Sequence, residues 1–277
     1  MMKKVLGAFG KALLYFVAFL GVQLIVSFAF GIVASVNMML EIGVSAPEEQ
    51  ILEAMSKLES EITAYATLIA LITNALSLIL IWLFFKLRKK KLFIEIGLHK
   101  CNFKLLLVTA VFGVSFSNIA SVIVQMLPFP ESMVKSFTES HAVLNEGNPI
   151  IGFIAVVFLA PITEEVFFRG LIYTRLKRGI HIIPAAIISS LLFGALHGEV
   201  IWIMITFLMG LMLVWVFERT KSLLPCIAVH ALNNALAQIT SYLADDSGIV
   251  EIIILGVCVF LLICSVVYIR MDSKKNV

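Results

Sequence analysis

The stretch PIIGFIAVVFLAPITEEVFFRGLIYTRLKRG, Pro149 to Gly179, decides how this chain folds. It is a run of apolar residues long enough to cross a bilayer, which takes ~20 residues. Yet Glu164, Glu165 and Arg169 stand in its middle, and it ends in a basic cluster, Arg175 to Arg178. Charge inside such a segment is costly, so it marks either a functional site or a paired set of groups.

The rest of the chain supports a membrane setting. Of its 277 residues 61% are hydrophobic and only 14% charged, with a mean hydropathy of +1.04. Soluble domains are about 45–50% apolar and roughly 25% charged. The chain reads as an all-α, polytopic membrane helix bundle. Its net charge of +3 gives no bulk attraction to nucleic acid, and none is expected as a partner. The expected surroundings are the lipid bilayer.

Apolar runs predict about eight spans: Ala12–Val36, Ala64–Phe85, Lys104–Leu127, Pro149–Tyr173, Ile182–His197, Ile201–Phe217, Leu223–Leu243 and Ile249–Ile269. Basic residues cluster at alternate connections: Lys3, Lys4 and Lys11, then KLRKKK (Lys86 to Lys91), RLKRG (Arg175 to Gly179), ERTK (Glu218 to Lys221), and Arg270, Lys274 and Lys275. The intervening connections are neutral or acidic, with Glu48, Glu49, Glu59, Glu61, Glu131, Glu146, Glu199, Asp245 and Asp246. Lys/Arg-rich loops stay in the cytoplasm, so both termini are expected inside. The first span is longer than a signal-peptide apolar core, and no convincing small-residue cleavage site follows it.

Three regions are expected. Residues 1–148 hold helices one to three and an outer amphipathic segment, 149–243 a core of four helices, and 244–277 a last helix with a basic tail. In the outer segment, Ser45 and Glu48 form a capping-box pattern and Pro47 suits a first turn. Ile51, Leu52, Met55, Leu58 and Ile62 make one stripe there. The four cysteines, Cys101, Cys226, Cys258 and Cys264, lack metal or CxxC spacing and read as small buried hydrophobes.

Polar residues within the apolar spans are few. Glu165 and Arg169 are four apart and can pair along one helix stripe. Glu164 is turned about 100° from Glu165, so its partners must come from other helices. His197 closes FGALH, and His230, Asn233 and Asn234 lie in HALNN, where His230 and Asn234 share a face that Gln238 continues. Gly194 and Gly198 form a small-xxx-small pattern that predicts close helix approach. At ~1.5 Å per residue, Glu164 lies ~20 Å above the inner boundary, His197 ~24 Å, His230 ~10–12 Å and Asn234 ~16–18 Å. One site near mid-membrane is compatible with these depths.

A carboxylate, two imidazoles and an amide in a dry cavity suit hydrolysis. A buried glutamate can act as general base, a histidine can orient or deprotonate water, and amide and imidazole N–H groups can serve an oxyanion. Glu164, His197 and His230 could equally hold zinc, since two His and one Glu with an open position is a known catalytic set. An amide is a poor zinc ligand and HExxH is absent, so the residues alone leave both mechanisms open.

EEVFFR, FGALH and HALNN, in that order, resemble the EExxxR, FxxxH and HxxxN motifs of the CAAX-protease and bacteriocin-processing (Abi) family of intramembrane endopeptidases. The resemblance covers Pro149 to Leu243. It implies that Glu164 and His197 activate water, that His230 and Asn234 stabilise the oxyanion, and that Glu165 and Arg169 support the site. It also favours a mechanism without an essential metal, with zinc as the alternative. The implied substrate is a membrane-associated peptide or protein, in peptide maturation or bacteriocin self-immunity. The expected location is a bacterial cytoplasmic membrane. A non-catalytic immunity or scaffold protein on the same fold is a rival reading, and a transporter is another, though no internal repeat or paired broken helices point to it.

Overall fold

The computed structural model describes residues 2–43, 46–143, 147–243 and 249–275. Among these the chain consists of helices and their connections, without strands, so the all-α reading holds. Eleven helices are described: α1 Met2–Ile42, α2 Glu48–Ala64, α3 Ala66–Leu87, α4 Leu92–Glu95, α5 Phe103–Gln125 and α6 Glu131–Val143, then α7 Pro149–Leu176, α8 Ile182–Ala195, α9 Val200–Thr220, α10 Leu223–Leu243 and α11 Ile249–Lys275. Every predicted span falls on a helix. Six (α1, α3, α5, α7, α9 and α11) are long and apolar enough to cross a membrane, and apolar stretches in α8 and α10, Ile182–Ala195 and Leu223–Ile239, are shorter. This is a multi-pass membrane protein.

Several boundaries differ from expectation. α1 runs through Lys3, Lys4 and Lys11, because lysines are good helix formers and do not end a helix. α8 stops at Ala195, so His197 lies beyond its end, in a turn closed by Gly198 at φ +79°. Of the expected glycine pair, only Gly194 packs: a Cβ there would come within 2.9 Å of the Ile203 carbonyl of α9, whereas one at Gly198 would meet nothing. α6 was not expected. It packs on α9, with Phe137 against Trp202.

α2 begins at Glu48 with Pro47 just outside it, so Pro47 is not in the first turn. Ser45, Glu146, Asp245 and Asp246 fall outside the described residues. α2 packs along α1, where Lys57 bonds Glu41 at 3.3 Å, but Ile51, Leu52, Met55 and Ile62 remain exposed. Among the cysteines, Cys226 and Cys258 are buried as expected, Cys101 is half-buried, and Cys264 is exposed.

α7 is the axis of the bundle. It is packed by α1, α3, α8 and α10. Every residue from Val166 to Tyr173 is buried. A helix buried all round must satisfy any charge it carries from within or from its neighbours. α1 covers it with Phe16 and Phe19 against Phe167 and Phe168, and α8 adds Phe193 against Phe168. α5 lies behind, contacting α9, α10 and α11.

The basic end of the bundle is tied by two carboxylates. Glu95 accepts from Arg175 at 2.7 Å and lies 3.7 Å from Arg178. Glu218 accepts from Tyr173 Oη at 2.9 Å and from Lys177 and Lys221. Gly97, at φ +71°, lets the α4–α5 connection lie against Phe217, and its carbonyl accepts from Leu223 N–H at 2.9 Å. This end of α7 is therefore held in register with α9 and α10.

Candidate active site

α7 is not regular. Ile154–Leu159 and Val166–Tyr173 are π-helical, and between them the α-helical segment Ala160–Glu165 carries Pro161, Glu164 and Glu165. π-turns in α-helices often mark functional sites, and Pro161 disrupts the α ladder by lacking an N–H.

The two glutamates have different surroundings. Glu165 is fully buried. Its Oε1 accepts from Arg169 Nη1 at 2.8 Å and lies 2.9 Å from His230 Nδ1. The expected i,i+4 pair thus exists, and it is joined by a third group from α10. Arg169 is 1% exposed and its guanidinium lies 4.4 Å from the centre of the Phe193 ring. A desolvated cation on an aromatic face is stabilised by ~2 kcal/mol. Glu165 Oε2 and Arg169 Nε and Nη2 are buried without a hydrogen-bond partner among the described residues. Such atoms are normally served by ordered water.

Glu164 keeps one-fifth of its side chain exposed. As expected, its partner comes from another helix: His230 Nε2 is 3.6 Å from its Oε2. His230, itself 2% exposed, therefore stands between the two carboxylates, one at each ring nitrogen.

His197 is half-buried in the α8–α9 turn, where Nδ1 meets the Phe193 carbonyl at 3.1 Å. Phe193 makes edge contacts with both imidazoles, at 5.1 Å to His197 and 5.8 Å to His230.

Asn234 also turns toward α7. Its Nδ2 donates to the Val156 carbonyl at 2.8 Å. Asn233, one residue earlier, points away: it donates to Ser117 Oγ of α5 at 2.9 Å and faces the Met209 sulfur. The structure thus brings Glu164, Glu165, Arg169 and His230 into one network, sets His197 beside it through Phe193, and attaches Asn234 to the same helix nearer its start.

Sequence reasoning missed two contributors. Phe193 carries both the guanidinium and the two imidazoles, and the first position of FxxxH was its only signal. Asn74 of α3, 5% exposed, sets its backbone carbonyl 3.4 Å from Thr163 Oγ1, beside Glu164, while that hydroxyl donates to the Leu159 carbonyl at 2.7 Å. Its motif-free span carried no signal.

Zinc fits poorly. Among the described residues no group of three His, Cys, Asp or Glu side chains stands close enough to hold a metal ion.

Residues 146–236 match the family model described as Type II CAAX prenyl endopeptidase Rce1-like. Among curated proteins, the chain is 29% identical over 104 residues to "Putative membrane peptidase YdiL" of Bacillus subtilis, covering 35% of this chain and 43% of that protein. It is 37% identical over 89 residues to "UPF0177 protein YaiH" of Lactococcus lactis, covering 32% and 36%. The chain thus spans about two-fifths of the length of these relatives. No solved structure matches. The matched region contains all three motifs, so the resemblance drawn from them holds.

Proposed function

We propose that this protein is an intramembrane endopeptidase that hydrolyses a peptide bond in a membrane-associated peptide or protein. One observation carries the reading: two adjacent carboxylates on one buried helix are separated by environment, Glu165 locked in an ion pair and Glu164 left partly open beside a histidine. Neighbouring groups held in different environments are how acid–base roles are assigned in hydrolytic sites. The Rce1-like match over the same residues supports it.

In this mechanism Glu164, helped by His197, takes a proton from water. The water oxygen bonds to the scissile carbonyl carbon, and the carbonyl electrons move to its oxygen. N–H donors of His230 and Asn234 stabilise that oxyanion. The C–N bond then breaks, and the proton held by Glu164 passes to the leaving amine. Glu165 and Arg169 fix His230 without touching substrate. No step uses a metal.

The test is cleavage of a membrane-peptide library by the purified protein in detergent, with and without chelator. Product formation lost on replacing Glu164 supports the reading. A library left uncut by a well-folded preparation speaks for the non-catalytic scaffold.

A further inference from the structure

The bond between Asn234 and Val156 has a cause in the chain itself. In the first π-helical segment hydrogen bonds run five residues back, and the Ala160 N–H accordingly donates to the Ala155 carbonyl. The next bond of that register would run from residue 161 to the Val156 carbonyl. Residue 161 is proline and has no N–H. Val156 is thereby left with a carbonyl that its own helix does not serve. A carbonyl inside a membrane bundle cannot be left without a donor at low cost. The donor comes from α10, where Asn234 Nδ2 lies 2.8 Å from it.

The consequence reaches the site. A primary amide is planar and has two N–H bonds on one nitrogen. With one held by Val156, the amide plane is set, and so is the direction of the other. Asn233 cannot substitute, because its amide is engaged with Ser117 and Met209. Four residues before Asn234, His230 is fixed by Glu165 on the same helix. α10 is thus attached to α7 at two points one turn apart, and Pro161 lies between their α7 partners.

We propose that Pro161 is a positioning residue: the donor it withholds from Val156 is what holds and orients the Asn234 amide. Its kinetic part rests on the endopeptidase reading above; its structural part does not.

The experiment is a double-mutant cycle on the full-length chain in detergent, with Pro161→Ala, Asn234→Ala and the double variant. Asn234→Ala alone leaves the Val156 carbonyl unserved and should lower Tm by roughly 4–8 °C. In the Pro161→Ala background the new Ala N–H can take that carbonyl, so the same replacement should cost less than half as much. Equal Tm losses in both backgrounds overturn the proposal. With a cleavable peptide, Pro161→Ala should lower kcat about 10–100-fold, because a loosened donor is misplaced, while KM changes less than about twofold. A rise in KM with kcat intact overturns the kinetic part. Should no peptide be cut, the Tm cycle still decides the hydrogen-bond assignment while the endopeptidase reading fails on its own. If Pro161→Ala does not fold, hydrogen exchange of the Asn234 side-chain amide in the unaltered protein decides instead. One slowed proton of the two supports the proposal, and two equivalent protons overturn it.

Discussion

His230 Nε2 faces Glu164 Oε2 across 3.6 Å, while its Nδ1 meets Glu165 Oε1 at 2.9 Å. The first gap is wider than a direct hydrogen bond and the second is a normal one. The two carboxylates should therefore fail differently when neutralised. Glu164→Gln should reduce cleavage at least 10²-fold, the usual loss for a general base, with Tm close to the parent. Glu165→Gln should lower Tm, because Arg169 loses its charged partner. Near-normal turnover in Glu164→Gln removes it as the base. His197→Ala should match Glu164→Gln in activity and in yield.

Arg169 has one charged partner and one aromatic ring, and no water-exposed surface to retreat to. Arg169→Ala leaves Glu165 buried with His230 as its one remaining hydrogen-bond partner among the described residues. Removing one partner of a buried pair costs about 3–5 kcal/mol. Yield and thermal stability in detergent should both fall, together with activity. A variant as stable as the parent contradicts the brace and points to a direct role for Arg169 on substrate.

The placement of His230 also depends on α5. A Cβ on Gly113 would lie 2.2 Å from Cγ1 of Val229, the residue before His230. Gly113→Ala must therefore push α10 away from α5, at a cost of about 1–3 kcal/mol. Activity should fall with stability, although the crowded neighbour of Gly113 is Val229 and not a polar residue of the site. Val229→Ala removes the clashing methyl groups and should restore much of both. Failure of that rescue, with Val229→Ala itself tolerated, argues against the contact.

Legibility followed the range of the interaction. The Glu165–Arg169 pair was readable because it is local, set by one turn of one helix. The need of Glu164 for a partner on another helix was readable too, since nothing at helical spacing could serve it. That His230 supplies contacts to both glutamates, 65 residues from Glu165 in sequence, required the packing of α10 on α7. The span positions emerged from apolar runs, but the end of α8 before His197 depends on the Gly198 turn. The bond of Asn234 to Val156 was the least readable. It depends on a π register that no periodicity announces, and only Pro161 hints at it.

Asn234 separates the two mechanisms. With Glu164, His197 and His230 on zinc, its amide is at most outside the ligand set. Asn234→Ala should then lose stability but keep metal stoichiometry and much of the turnover. In the metal-free mechanism the amide donates to the oxyanion, and its loss costs ~10²–10³-fold in kcat. KM should change little, because that contact forms mainly in the transition state. Asn234→Asp sharpens the contrast. It keeps the shape but offers an ionised carboxylate to a developing negative charge, and also to the Val156 carbonyl that the amide serves. Without metal it should be as inactive as alanine. With zinc it should keep turnover or bind the ion more tightly, despite the stability lost at the Val156 carbonyl, since carboxylate is a good zinc ligand. The expected outcome is that both variants are nearly inactive and that parental activity survives exhaustive chelation. An active Asn234→Asp protein that dies with chelator and revives with zinc reverses the assignment.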